Sequence, residues 1–164
     1  MDWNQARMDV INWITGFVER PHPLLNGWAP CPFARRARLD NRLDLRQGTT
    51  PWRDLFQADV GDFDVVCWIY DPKRIDSQEL NRAVDRLNQE HLLPRGLIAL
   101  ADHPDHVEEA QGVRFNQGEW ALVLLQSRDK LQEHARMLAN KGYYDGWPEQ
   151  YLQDLFTGRQ DPRK

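Results

Sequence analysis

The stretch Asp64-Val65-Val66-Cys67-Trp68-Ile69-Tyr70 decides how the rest of the chain is read. It is β-branched and aromatic, and apolar at both alternating sets of positions. That is the pattern of a strand covered on both faces and therefore central in its sheet. Just downstream, Asp76 with Glu79 three residues later reads as an Asp version of the capping box. The helix it opens carries Leu80, Ala83, Val84, Leu87 and His91 on one stripe. Pro94 and Gly96 close that helix, and Leu97 to Ala101 reads as a second buried, internal strand. Residues 63–101 thus predict one right-handed strand–helix–strand unit.

Working outward, Glu119 to Gln126 is a third strand. Ser127 is placed to cap a helix that turns Leu131, His134, Ala135 and Leu138 inward and ends with Gly142 at its C′ position. Pro148 opens a last helix with Tyr151, Leu152, Leu155 and Phe156 apolar, and the polar residues 157–164 are expected to fray. Toward the N-terminus, Trp3, Ala6, Val10, Trp13, Ile14 and Phe17 fall at helical spacing within residues 3–19. Pro21 and Pro23 stop that helix near Arg20. The Pro/Gly loop over 21–32 carries Leu24, Leu25 and Trp28, so it is expected to pack on the domain. Pro32 suits the first position of a short helix over 33–38, with Cys31 as its N-cap. Residues 41–46 read as an edge strand and 51–56 as a helical turn.

Strands alternating with helices predict an α+β fold, ferredoxin-like or a similar sandwich. It would have a mixed sheet of about four strands with helices packed on it. A small three-layer α/β sheet is the second choice. One domain is expected over 1–156, followed by the tail at 157–164. The 164 residues carry a net charge of −4, which argues against a dedicated nucleic-acid binder. No apolar run approaches the roughly 20 residues of a membrane span. The start Met1-Asp2-Trp3-Asn4 lacks a basic segment followed by an apolar one, so a cytoplasmic protein with Cys31 and Cys67 as free thiols is expected.

The phosphate-binding, dinucleotide, nucleophile-elbow, H-E-x-x-H and C-x-x-C motifs are all missing. Three features remain. Cys31 at a helix N-terminus, with Arg35 and Arg36 one turn on, has the setting that favours thiolate, and His22 lies nine residues before it. A small buried residue between two prolines is the competing reading. Asp102-His103-Pro104-Asp105-His106 ends a strand, where α/β sheets bind ligands. His103 and His106, completed by Asp102, have a spacing able to share a divalent transition metal. A solvated turn is the alternative. The aromatic turns around Trp28 and around Tyr143-Tyr144-Asp145-Gly146-Trp147 offer anchors for a protein partner or a second copy of the chain, or else staple the terminal helices down. His91 and His134 read as partly buried helix residues.

Cys31-Pro32-Phe33-Ala34 after an amphipathic helix, followed by a strand ending in His103-Pro104-Asp105, resembles an uncharacterised bacterial family. That family has a Cys-Pro-Phe-Ala motif and a later strand ending in a Phe-His-Pro-Asp-type turn. The likeness spans roughly residues 8–106. This chain departs from it at Ala29-Pro30 and at Asp102, where the family has apolar and aromatic residues. The resemblance implies that Cys31 and His103 share a site, and it supplies no reaction. Two functions follow from the sequence. The first is an accessory protein that binds a partner through Trp28, Trp147 and Arg35. The second is a small thiol- or metal-dependent enzyme built on Cys31, His103 and His106.

Overall fold

A computed structural model describes residues 1–164. Four strands form one mixed sheet in the order β1 (Leu43–Gln47), β2 (Val65–Tyr70), β6 (Ala121–Ser127), β3 (Leu97–Asp102). β1 runs parallel to β2, and β6 is antiparallel to both β2 and β3. The stretch quoted first is therefore central, as its two-sided apolar pattern requires. β2, α4 (Ser77–Leu87) and β3 form the expected strand–helix–strand unit, split by β6 inserted between its two strands. The fold is the expected α+β sandwich.

One expectation about this sheet is corrected. β3 lies at an edge, not inside. Its outward backbone is satisfied by a side chain: the Asn88 amide donates to the Ala99 carbonyl and accepts from the Ala99 N–H, both at 2.8 Å. An apolar run reads as internal because both its faces are covered, and the side-chain pattern does not reveal who pairs with the backbone.

Capping chemistry sets the helices. The Asp76 carboxylate accepts from the Glu79 N–H at 2.8 Å and starts α4, which continues as wider and then tighter turns through Arg95. α1 (Trp3–Trp13) starts at Asp2, which accepts from the Gln5 N–H, and a π-turn extends it to Val18. α2 begins at Ala34 and ends at Leu39, so Cys31 stands in the turn before the helix and Phe33, not Cys31, is the N-cap. α3 (Pro51–Leu55) is the short turn expected there. At Gly48, just before it, a Cβ would run into the Tyr70 ring, so only glycine lets the chain pass this close to β2.

The sheet faces differ in what covers them. On one face Val66, Tyr70, Ala99, Val123 and Leu125 meet Leu55 of α3 and Leu80, Val84 and Leu87 of α4 in a continuous core. On the other, Cys67, Ile69 and Leu122 meet Ala6, Val10 and Ile14 of the N-terminal helix. A third cluster builds a separate layer. It joins α5 (Arg128–Asn140), α6 (Glu149–Leu155), the Leu25 loop and a small hairpin, β4 (Glu109–Ala110) with β5 (Val113–Arg114). The tail is tied to this layer, not frayed: Arg159 donates to the Leu155 carbonyl, and Arg163 pairs with Glu149 and Asp161. No helix is long and apolar enough to cross a membrane.

Candidate functional site: an interlayer cavity

The C-terminal layer stands off the sheet. Between them, and reaching round the edge strand to Asn81 and Asp85 of α4, lies a recess of about 980 Å³. Its floor is the sheet face that α1 leaves uncovered: Val65, Cys67, Leu100, Leu124 and Gln126, with Asp102 at one end. Trp13, Ile14, Phe17 and Val18 close one side, and Lys130, Leu131, His134 and Leu138 of α5 face them. The aromatic cluster of Phe115, Tyr143, Tyr144, Trp147 and Tyr151 forms the far wall.

The lining is mostly apolar, which sets its energetics. The recess is open to solvent, and polar side chains such as Asp64, Asp102, Gln126 and Lys130 share its wall with the apolar ones, so water can occupy it. Its apolar surface would gain by being covered with apolar atoms. Its volume lies at the upper end of the range for small-molecule sites, about 300–1,000 Å³.

Local structure explains how the cavity residues are held. α5 ends in a Schellman motif: the Gly142 N–H donates to the Ala139 carbonyl at 3.1 Å, and the Tyr143 N–H to the Leu138 carbonyl at 3.0 Å. Gly142 at φ +78° is the C′ residue expected from the sequence. This turn swings Tyr143 toward the early loop, where its hydroxyl donates to the Pro30 carbonyl at 2.7 Å. The next residue is Cys31, whose N–H donates to Val18 at 2.9 Å. Cys31 is exposed and lines the cavity. Desolvation by the surrounding protein pushes its pKa up, and the N–H groups of Phe33 and Ala34 pull the other way without prevailing. That direction runs against the thiolate the helix N-terminus suggested. Arg35 is exposed and bears on Glu19, not on the sulfur.

Phe33 stacks on His134, ring centroids 3.8 Å apart and planes at 10°. Burial lowers the His134 pKa, so its ring is neutral at pH 7, and neither ring nitrogen has a protein hydrogen-bond partner. His91 is half-buried against Phe56 and Trp52, outside this site. His22 caps its own turn by accepting from the Leu24 N–H at 3.1 Å, and no hydrogen bond joins it to Cys31.

The Asp102–His106 turn is built differently from expectation. His103 is 2% exposed and both its ring nitrogens are occupied. Nε2 donates to the Ile75 carbonyl at 2.9 Å, and Nδ1 accepts from the Asp105 N–H at 3.1 Å. His103 thus staples the turn to the segment ahead of α4 and does not line the cavity, so it does not share a site with Cys31. Asp102 accepts from Asn116 at 2.6 Å and from the Gln117 N–H at 2.9 Å. His106 is exposed, 3.4 Å from Glu108. No three His, Cys, Asp or Glu side chains gather where a metal ion could be held, so the metal set of His103, His106 and Asp102 is corrected. Its lone pairs are spent within the protein.

The organiser of this turn is Asn116, which the sequence reading missed. It is 7% exposed, donates to Asp102 and to the His103 and His106 carbonyls, and accepts from the Glu108 N–H at 2.8 Å. The signal for its neighbour, the β4–β5 hairpin, was present as Gln111-Gly112, two residues at positive φ. The aromatic turns are also inward-facing. Trp147 is 8% exposed, and Trp28 is half-buried edge-on to Tyr143 at 6.1 Å. Neither presents a free anchor; they staple the layer.

No protein-family model, curated protein or solved structure matches this chain. The cavity must be interpreted from its own chemistry.

Proposed function

We propose that this protein binds a bulky, largely apolar small molecule between its sheet and its C-terminal layer. One observation carries the reading: a mostly apolar recess of about 980 Å³ between the sheet, α5 and the aromatic cluster, with the size and lining usual for a small-molecule site. Two features favour binding over catalysis. Cys31, Cys67 and His134 reach the cavity, but no nucleophile is hydrogen-bonded to a base. Both thiols that line the cavity have their pKa raised by burial.

Titration of the full chain with Nile red, a neutral apolar fluorophore, tests this. The expected result is saturable emission at one site per chain, abolished when Leu124→Trp fills the floor without unfolding the protein. Absence of saturable binding, or binding unchanged in folded Leu124→Trp, would overturn the reading.

A further inference from the structure

The cavity wall carries charges of both signs. Asp102, Glu108 and Asp154 line it; burial raises the Glu108 pKa, which the nearby His106 partly offsets. Arg159 lines it as well, its guanidinium donating to the Leu155 carbonyl.

Arg159 is exceptional within this chain. Six arginines have side chains at least partly withdrawn from solvent: Arg38, Arg42, Arg46, Arg128, Arg159 and Arg163. All but Arg159 lie within 4.0 Å of a carboxylate: Arg38 of Glu19, Arg42 of Asp64, Arg46 of Asp44, Arg128 of Asp129, and Arg163 of Glu149 and Asp161. Arg159 has none. Its guanidinium meets only the Leu155 carbonyl and the Phe156 ring, 5.2 Å from the centroid, and its Nε–H has no partner. Burial works against its charge, and no acidic side chain offsets that. A half-buried cation on a cavity wall lacks a counter-ion, and guanidinium has donors only. Its missing partner is an anion with acceptor oxygens.

We infer that the ligand is an amphipathic organic acid, its carboxylate seated on Arg159 and its apolar body lying over Leu100 and Leu124. This rests on the cavity reading above and specifies its ligand. Planar, two-oxygen recognition is what guanidinium supplies best.

The test compares 11-(dansylamino)undecanoic acid with the alcohol of the same body, titrated into the full chain and into Arg159→Gln and Arg159→Lys. A charge-assisted contact predicts that the acid binds about tenfold tighter or better than the alcohol. Arg159→Gln is expected to erase that preference, and Arg159→Lys to retain part of it. Equal affinity of acid and alcohol for the unaltered protein would overturn the assignment while leaving the cavity reading standing. So would a preference that survives Arg159→Gln. If neither probe binds, both fall together.

Discussion

The two faces of this sheet are made from the same strands yet behave as different materials. Along β6, Ala121, Val123 and Leu125 point to the α4 face and are fully buried. Leu122 and Leu124 point to the other; Leu122 is sealed by α1, whereas Leu124 is left half-exposed to the cavity. The closed face is packed as interiors normally are, and it secures the fold. The open face departs from that rule where α1 ends and the C-terminal layer stands away. A protein that leaves apolar strand residues half-covered inside its own envelope gains less from them there, and the proposed ligand would restore that burial.

The largest expected effect puts that contrast to a direct test. Leu125→Ala on the closed face should cost about 2–5 kcal/mol in urea unfolding, the usual cost for a close-packed leucine. Leu124→Ala on the open face should cost about 1 kcal/mol or less, since its side chain already borders a void. Equal losses would show that the faces are packed alike.

Next comes the rim. Asn116→Ala strips the Asp102–His106 turn of a donor to three acceptors and of the acceptor for Glu108 N–H. A loss of about 1–3 kcal/mol is expected from the buried groups left unpaired. Amide hydrogen exchange should rise in residues 102–117 and stay unchanged in α4. Exchange that rises equally in both would show that the rim is not an independent unit.

A smaller, pH-dependent effect separates the open face further. The folded-state pKa of His134 lies below its ordinary value of 6.5 because the ring is buried against Phe33. A group with a depressed folded pKa contributes stability above its unfolded pKa and loses it as pH falls toward the folded one. Melting temperature should therefore drop below about pH 6.5, and His134→Phe should flatten that drop while preserving the stack. An unchanged profile in His134→Phe would assign the drop to other groups.

The smallest effect is kinetic. Burial raises both thiols, Cys67 to well above the ordinary range, and Cys67 is sealed in the floor while Cys31 faces the lumen. At pH 7, N-ethylmaleimide should label Cys31 more slowly than free cysteine and leave Cys67 unmodified. Nile red should slow Cys31 labelling further. Fast labelling of Cys31 that the dye leaves unaltered would place the thiol outside the cavity.

Much of the frame was legible because it rests on local rules. Asp76 with Glu79, Ser127 and Gly142 mark helix ends through backbone chemistry that acts within a few residues, and each sits at the end it marks. The two-sided apolar run in 64–70 announced a central strand, which the order β1-β2-β6-β3 bears out. The site was legible only in fragments. Cys31 and Asp102 were picked out and do line the cavity, but for reasons other than those that drew attention to them. His103 attracted notice as a ligand and is a staple, because a histidine's role depends on what its two nitrogens meet. Arg159 sat in a polar tail that read as frayed, and nothing local marks an arginine that will lack a carboxylate.

What the amino-acid sequence determined by itself was the set of elements and their buried sides, since periodicity, caps and prolines act at short range. What the tertiary structure alone decided was the order of strands, the edge position of β3, the gap between sheet and C-terminal layer, and the isolation of Arg159. These depend on residues more than 30 positions apart meeting or failing to meet, as Tyr143 meets Pro30 across the fold while no acid meets Arg159. A gap between two layers belongs to neither layer's residues, so no pattern along the chain records it.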